Sequence, residues 1–247
     1  MEVHAHTHTE RKTFTHYLWE FLMLFLAVFC GFLAENQREH MVELRREKEY
    51  MISLIRDLQA DIKEAAESKE GKISHIEMAD SVFLLFNEGD YEHKSGDLYY
   101  LCRSLAGRTF FHQNDGTIQQ LKNAGGLRLI RKNNVADSIQ VYINQTRNVE
   151  ELQELLESQI IDYRRSLNTV FDAQEFNKMF ASKSKWSLAR PINNPPMFSV
   201  DKKDVNDVCM RLLVVKGNQI SQIGSLDNMI NYAKMLLQLI KEEYHLK

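Results

Sequence analysis

Proline distribution constrains this chain most. All three prolines, Pro191, Pro195 and Pro196, fall in one short segment, and none stands before or after it. A proline inside a helix removes a backbone donor and clashes with the preceding turn, at about 3 kcal/mol. Long helices are therefore permitted everywhere except across a loop at 187–200. Glycine with Asn, Asp or Ser supplies the other breaks: Asn87 to Asp90, Lys94 to Asp97, Asn114 to Gly116, and Ala124 to Gly126. These mark an irregular middle at 87–132.

Apolar spacing on both sides is helical. One series runs Val135, Ile139, Tyr142, Val149, Leu152, Leu156, Ile160, Tyr163, Leu167 and Val170. A second runs Val205, Val208, Leu212, Val215, Leu226, Met229, Ala233, Leu236 and Ile240. A third runs Leu44, Met51, Ile55, Leu58 and Ile62, then Ile73, Ile76 and Phe83. Steps of three and four, with longer ones of seven or eleven, put each series along one side of a helix. Gln219, Gln222, Gly217 and Gly224 interrupt the second series and leave room for a bend. Asp201 with Asp204 offers one helix start, and Asn133 or Asn134 another. No stretch alternates with period two. The expectation is an all-α chain with three long helices and shorter ones near 97–106 and 117–123.

Residues 21–34 (FLMLFLAVFCGFLA) carry no charge. Tyr17, Leu18 and Trp19 extend the run, interrupted only by Glu20. At 1.5 Å per residue it is about 27 Å long, close to the roughly 30 Å of a bilayer's hydrocarbon. Large apolar side chains cover every face, which suits lipid better than the edge of a soluble core. Tyr17 and Trp19 stand where an aromatic belt is expected, with Arg11 and Lys12 before them. Phe29 and Phe32 occupy positions where signal cleavage wants small residues, so the segment reads as an uncleaved anchor. Counting Arg38, Arg45, Arg46 and Lys48 against the tail mildly favours the long part inside the cell. Interleaved glutamates dilute that bias, and short basic tails before uncleaved anchors commonly stay in the cytoplasm. The balance tips toward tail inside and domain outside.

Chemistry-bearing residues are few. His4, His6 and His8 alternate in the tail and form an open, weak set of transition-metal ligands. Glu20, and Glu35 at the other end, are the membrane polar contacts: an ionisable group in a span faces an interface, a helix partner or water. Cys30 reads as packing, and Cys102 and Cys209 as separate buried thiols that could pair only after export. Arg128, Arg131 and Lys132 follow Gly125 and Gly126 but lack the phosphate-loop pattern. His-Glu-x-x-His, Gly-x-Ser-x-Gly and paired Cys-x-x-Cys motifs are all missing. With Lys+Arg 31 against Asp+Glu 34 the net charge is −3, no footprint for nucleic acid. Neither an enzyme nor a cofactor is expected.

The strings Tyr17-Leu18-Trp19-Glu20-Phe21, Phe25-Leu26-Ala27-Val28, Gly31-Phe32 and Glu35-Asn36-Gln37-Arg38-Glu39-His40 carry a resemblance. So do Thr117-Ile118-Gln119-Gln120-Leu121-Lys122, Gly125 and Leu127-Arg128-Leu129-Ile130. With the His-rich start they resemble a family of short, single-pass bacterial membrane proteins of unknown function, as far as about residue 140. Members often have Asn after the first glycine of the later motif, where this chain has Gly126. The resemblance implies a bacterial inner-membrane protein with a helical domain and carries over no catalytic residue.

The chain is thus expected to have a tail at 1–16, a membrane helix at 17–35 and a helical domain at 36–247. Its anchor helix should continue past Arg46 toward Ala66 and pack with helices near 133–180 and 202–246 in a four-helix-like bundle. The functional expectation is a non-enzymatic scaffold or sensor whose partners are the lipid bilayer, itself as a homo-oligomer, and another protein. The alternative is a subunit of an oligomeric channel or transporter in which Glu20 and Glu35 line a passage.

Overall fold

The structure is a computed structural model that describes residues 14–123, 125–181 and 188–246. His4, His6 and His8 lie outside the described residues. Among the described residues every regular element is helical: α1 (Phe14–Glu88), α2 (Tyr91–Leu105), α3 (Gly116–Asn123), α4 (Asn133–Val170), α5 (Ala173–Lys178) and α6 (Lys202–Glu243). Single 3₁₀ turns at Gly126–Arg128 and Met179–Ala181 complete the order. The chain divides into two compact units, Met1–Tyr50 and Met51–Lys247, later than the expected boundary at residue 36.

The second unit is a bundle of three long helices. Lys69 meets Asp227 at 2.6 Å and His75 meets Gln219 at 3.2 Å, so α6 runs against α1. Lys132 meets Glu243 at 3.0 Å while Gln222 donates to the Leu152 carbonyl, so α6 also runs against α4. Leu98, Cys102, Tyr163, Leu167, Val208 and Leu212 share one apolar core with Ala79, Val82 and Phe86 of α1. Toward the other end Leu54, Leu58, Ile118, Leu121, Ile139, Leu226 and Met229 are equally buried.

The fourth position of the bundle is filled in two pieces. Helix α2 covers the end near Val82, and α3 covers the end near Asp57. Between them the connecting segment is pinned along α1: Lys72 Nζ donates to the Thr109 carbonyl at 2.9 Å, and Glu64 accepts from His112 N–H at 2.9 Å. Asp61 accepts from Asn114 N–H at 2.7 Å and Asp57 from Thr117 N–H at 3.2 Å. Side chains spaced for one helix face thus satisfy backbone N–H and C=O groups that no helix or sheet partners.

Several expectations need correction. Helix α1 passes Ala66 and ends at Glu88, because Gly89, at φ 71°, takes the left-handed turn that permits an immediate restart at Tyr91. The expected break at Lys94 to Asp97 lies inside α2, so the middle is less irregular than expected. Gly96 serves close approach there: a Cβ would stand 3.0 Å from the Asn193 carbonyl and the Asn194 side chain. Helix α4 ends at Val170, not near 180, since Phe171 is extended and Asp172 caps α5 by accepting from Gln174 N–H at 2.8 Å. No break interrupts α6 at Gly217 or Gly224. Gln219 and Gln222 face inward, and both glycines face open space. Asp201 does cap α6, accepting from Lys203 N–H at 2.8 Å.

Candidate functional site

In α1, the apolar segment begins one turn into the helix. Its best 18-residue window has mean hydropathy 2.0 and none of it is buried, and among the described residues α1 alone is long and apolar enough to cross a membrane. Phe21, Leu24, Val28 and Phe32 are each about two-thirds exposed or more. Phe21, Phe25 and Phe29 stack along one side, with ring centroids 6.3 and 5.9 Å apart.

Glu20 and Glu35 are not brought together. They stand 15 residues apart on one helix, about 22 Å of rise, and bracket the apolar run. Each engages its own helix: Glu20 meets His16 at 3.1 Å, and Glu35 takes a two-pronged contact from Arg38 at 2.5 and 2.9 Å. These are end markers of a greasy rod rather than members of one site. Cys30 is exposed and unpaired by disulfide.

Within the second unit the cysteines offer little reactivity. Cys102 and Cys209 are free thiols. Burial pushes Cys102 up to about 12, leaving essentially no thiolate near neutrality. Lys132 of the basic cluster is tied to Glu243. Among the described residues no three His, Cys, Asp or Glu side chains gather as metal ligands would.

Sequence reasoning missed a polar seam between the long helices. Asp61, Ser68 and Lys72 are buried on α1, Tyr142 and Thr146 on α4, and Asn218, Gln219 and Gln222 on α6. The Tyr142 hydroxyl and both Asn114 donors converge on Asp61. Burial raises the Asp61 carboxyl above its ordinary range, and those hydrogen bonds oppose the rise. Lys72 is fully enclosed, and burial pulls its ammonium down to about 8. Burial and the nearby Lys72 charge lower His75 as well. Closed over by protein, Lys72 holds the connecting segment at Thr109 and is sealed from any substrate. Its signal was the spacing Asp57, Asp61, Glu64, Ser68, Lys72, one polar line beside the apolar one.

The outward face of α6 is the other unforeseen feature. Its exposed positions from Met210 to Tyr232 are Met210, Leu213, Val214, Gly217, Ile220, Ser221, Gly224, Asn228, Asn231 and Tyr232, with no charge among them. Charged residues of the same stretch turn sideways into ion pairs: Arg211 with Asp207, Lys216 with Asp80, and Asp227 with Lys69. Helix α6 is therefore uncharged on its outer face for about 34 Å, while its inner face is apolar apart from Asn218, Gln219 and Gln222. Solvated helix faces are ordinarily rich in charge, and this one departs from that pattern.

Set beside known protein families, curated proteins and solved structures, the chain matches none.

Proposed function

We propose that this chain is a non-enzymatic, membrane-anchored helical scaffold or sensor that acts through protein–protein contacts. The observation that carries the reading is the fully exposed, all-round apolar stretch of α1, whose length suits a bilayer. Lipid is the partner of that stretch. A second copy and a further protein are the partners of the bundle, and the uncharged face of α6 supports this because it meets any like surface without charge repulsion. The location is a bacterial inner membrane, with the tail inside and the bundle outside.

The channel reading has weaker support. Glu20 and Glu35 occupy opposite ends of the apolar run and each pairs within its own helix, so no polar line connects them.

The test is site-directed photo-crosslinking from Val214 in bacterial membranes. The scaffold reading expects crosslinked species larger than the monomer from Val214 and few from Lys234, which lies beyond the uncharged stretch. Equal, sparse crosslinking from both positions would contradict it. A cysteine replacing His93 reports orientation: labelling in cells with an intact inner membrane is expected, and labelling only after lysis would reverse the assignment.

A further inference from the structure

The second unit contains a cleft of about 730 Å³ that the scaffold reading leaves unused. That volume suits a small-molecule site. It opens where the last turn of α2, the later turns of α4 and the segment around α5 meet. Arg103 comes from α2 and Ala106 from its C-cap, Arg164 and Asn168 from α4, with Phe171, Phe176 and Phe198 around them.

Helix chemistry explains part of this arrangement. Both guanidinium groups sit by the carbonyl end of α2, where positive charge is favoured. Arg164 donates to the Ala106 carbonyl through Nε at 2.9 Å and Nη2 at 2.5 Å. One carbonyl uses two of its five donors. Arg103 stacks on the Phe180 ring with its Cζ 4.9 Å from the centroid, a contact that leaves its edge donors free.

Capping does not explain the surplus charge. Burial first, and then like charge (Arg164 beside Arg103, Arg108 beside Arg164), lowers both guanidiniums below the ordinary arginine value. Arg108 is paired with Glu157. The cleft's own carboxylate, Asp172, is engaged at the start of α5 by Gln174 N–H. Two crowded cations beside one committed carboxylate make a local positive excess that an anion would relieve.

The walls specify the rest of the ligand. Phe171 and Phe176 pack edge-on against Tyr99, centroids 4.8 and 5.4 Å away, and so are held rigidly. Phe198 is three-quarters exposed at the rim although its backbone is fixed by donation to the Val170 carbonyl at 3.0 Å. A large aromatic ring exposed on a pinned backbone beside paired arginines has no packing role of its own.

We propose that this cleft binds a small amphipathic anion, a carboxylate on an aromatic or branched apolar body. Arg103 and Arg164 take the carboxylate, and Phe171, Phe176 and Phe198 take the body. A carboxylate suits the guanidinium fork, which offers two parallel donors. The inference deepens the sensor half of the proposed function and rests on it for biological meaning, while the binding itself is read independently of membrane association.

The test titrates the full-length chain, in lipid nanodiscs, with 2-naphthoate by calorimetry after subtraction of empty nanodiscs. Saturable single-site binding is expected. Arg103→Gln or Arg164→Gln should weaken it about tenfold each, and the pair should abolish it. Arg103→Lys should retain more affinity than Arg103→Gln. Phe198→Ala, which removes a ring exposed at the rim, should weaken binding about fivefold with little change in the melting curve. The neutral 2-naphthamide should bind far more weakly, and millimolar inorganic phosphate should not displace naphthoate. The proposal is overturned by lack of saturable binding, by equal affinity in the double arginine variant, by equal affinity for the amide, or by displacement with phosphate alone. A chain that binds naphthoate but not membranes would refute the anchor and leave the cleft standing; the converse would do the opposite.

Discussion

The same residue types meet opposite fates in the two units. In the first, ten large apolar side chains from Phe21 to Leu33 are exposed; in the second, Leu54, Leu58, Leu98 and Leu212 are wholly buried. Burying one such side chain is worth about 1.5–3 kcal/mol. Ten left in water forgo on the order of 15–30 kcal/mol, more than the roughly 5–15 kcal/mol that holds a typical domain folded. A second apolar phase around the first unit, the role proposed here for lipid, would recover that energy. The second unit supplies its own. What separates them is pattern rather than composition: apolar residues on every face in one, and on a stripe beside charged positions in the other.

The strongest way to break this comparison is to charge the first unit. Leu24→Lys with Val28→Lys places two ammonium groups mid-segment, at about 2.5–3.5 kcal/mol each on insertion scales. Membrane association measured by flotation should collapse while the bundle's far-ultraviolet signal persists. Next is a neighbouring pair on α6. Leu212 is fully buried and Leu213 half-exposed. Leu212→Ala should cost about 2–5 kcal/mol of unfolding free energy and Leu213→Ala no more than about 0.5 kcal/mol, measured by urea titration. Equal effects would mean that the two faces of α6 are not distinct.

Lys72 sharpens the view of the second unit's interior. Its folded value near 8 lies below the unfolded value of about 10.5. The folded state therefore holds fewer protons between those limits, and stability should rise with pH from about 8 to 10.5, by on the order of 3 kcal/mol. Lys72→Met should flatten that rise in unfolding midpoints taken across the window. A smaller loss is expected at Gly96. An added methyl group presses on Asn193 and Asn194, while alanine favours the helix, so Gly96→Ala should cost about 1 kcal/mol. A lowered melting temperature checks it.

Much of this architecture was legible in residue spacing. Nearly every member of the series from Val135 to Val170 and from Val208 to Ile240 is buried, because those helices bury apolar residues at regular steps. The α1 series was right only in part: Met51 and Leu58 are buried as expected, and its other members are not. Ile55, Ile62, Ile73 and Ile76 are only half-buried, while Leu54, Leu58, Asp61, Ala65, Ser68 and Lys72 form the buried line. Hydrophobicity cannot find an inward stripe that includes Asp61 and Lys72, since their partners at Asn114, Tyr142 and Thr109 come from distant segments. Gly96 misled for a similar reason: its neighbour across space is the proline loop, nearly a hundred residues later. The cleft was hidden altogether. Arg103, Arg164 and Phe198 belong to no motif and meet only through the turn at Phe171 and the return of the chain past Val170.

The claim on which the account rests is that lipid covers residues 17–35. Alkaline carbonate extraction of bacterial membranes carrying the full-length chain tests it most directly. The account predicts that the protein stays in the pellet and floats with vesicles on a density gradient. Quantitative release into the supernatant as a monodisperse soluble species would contradict it.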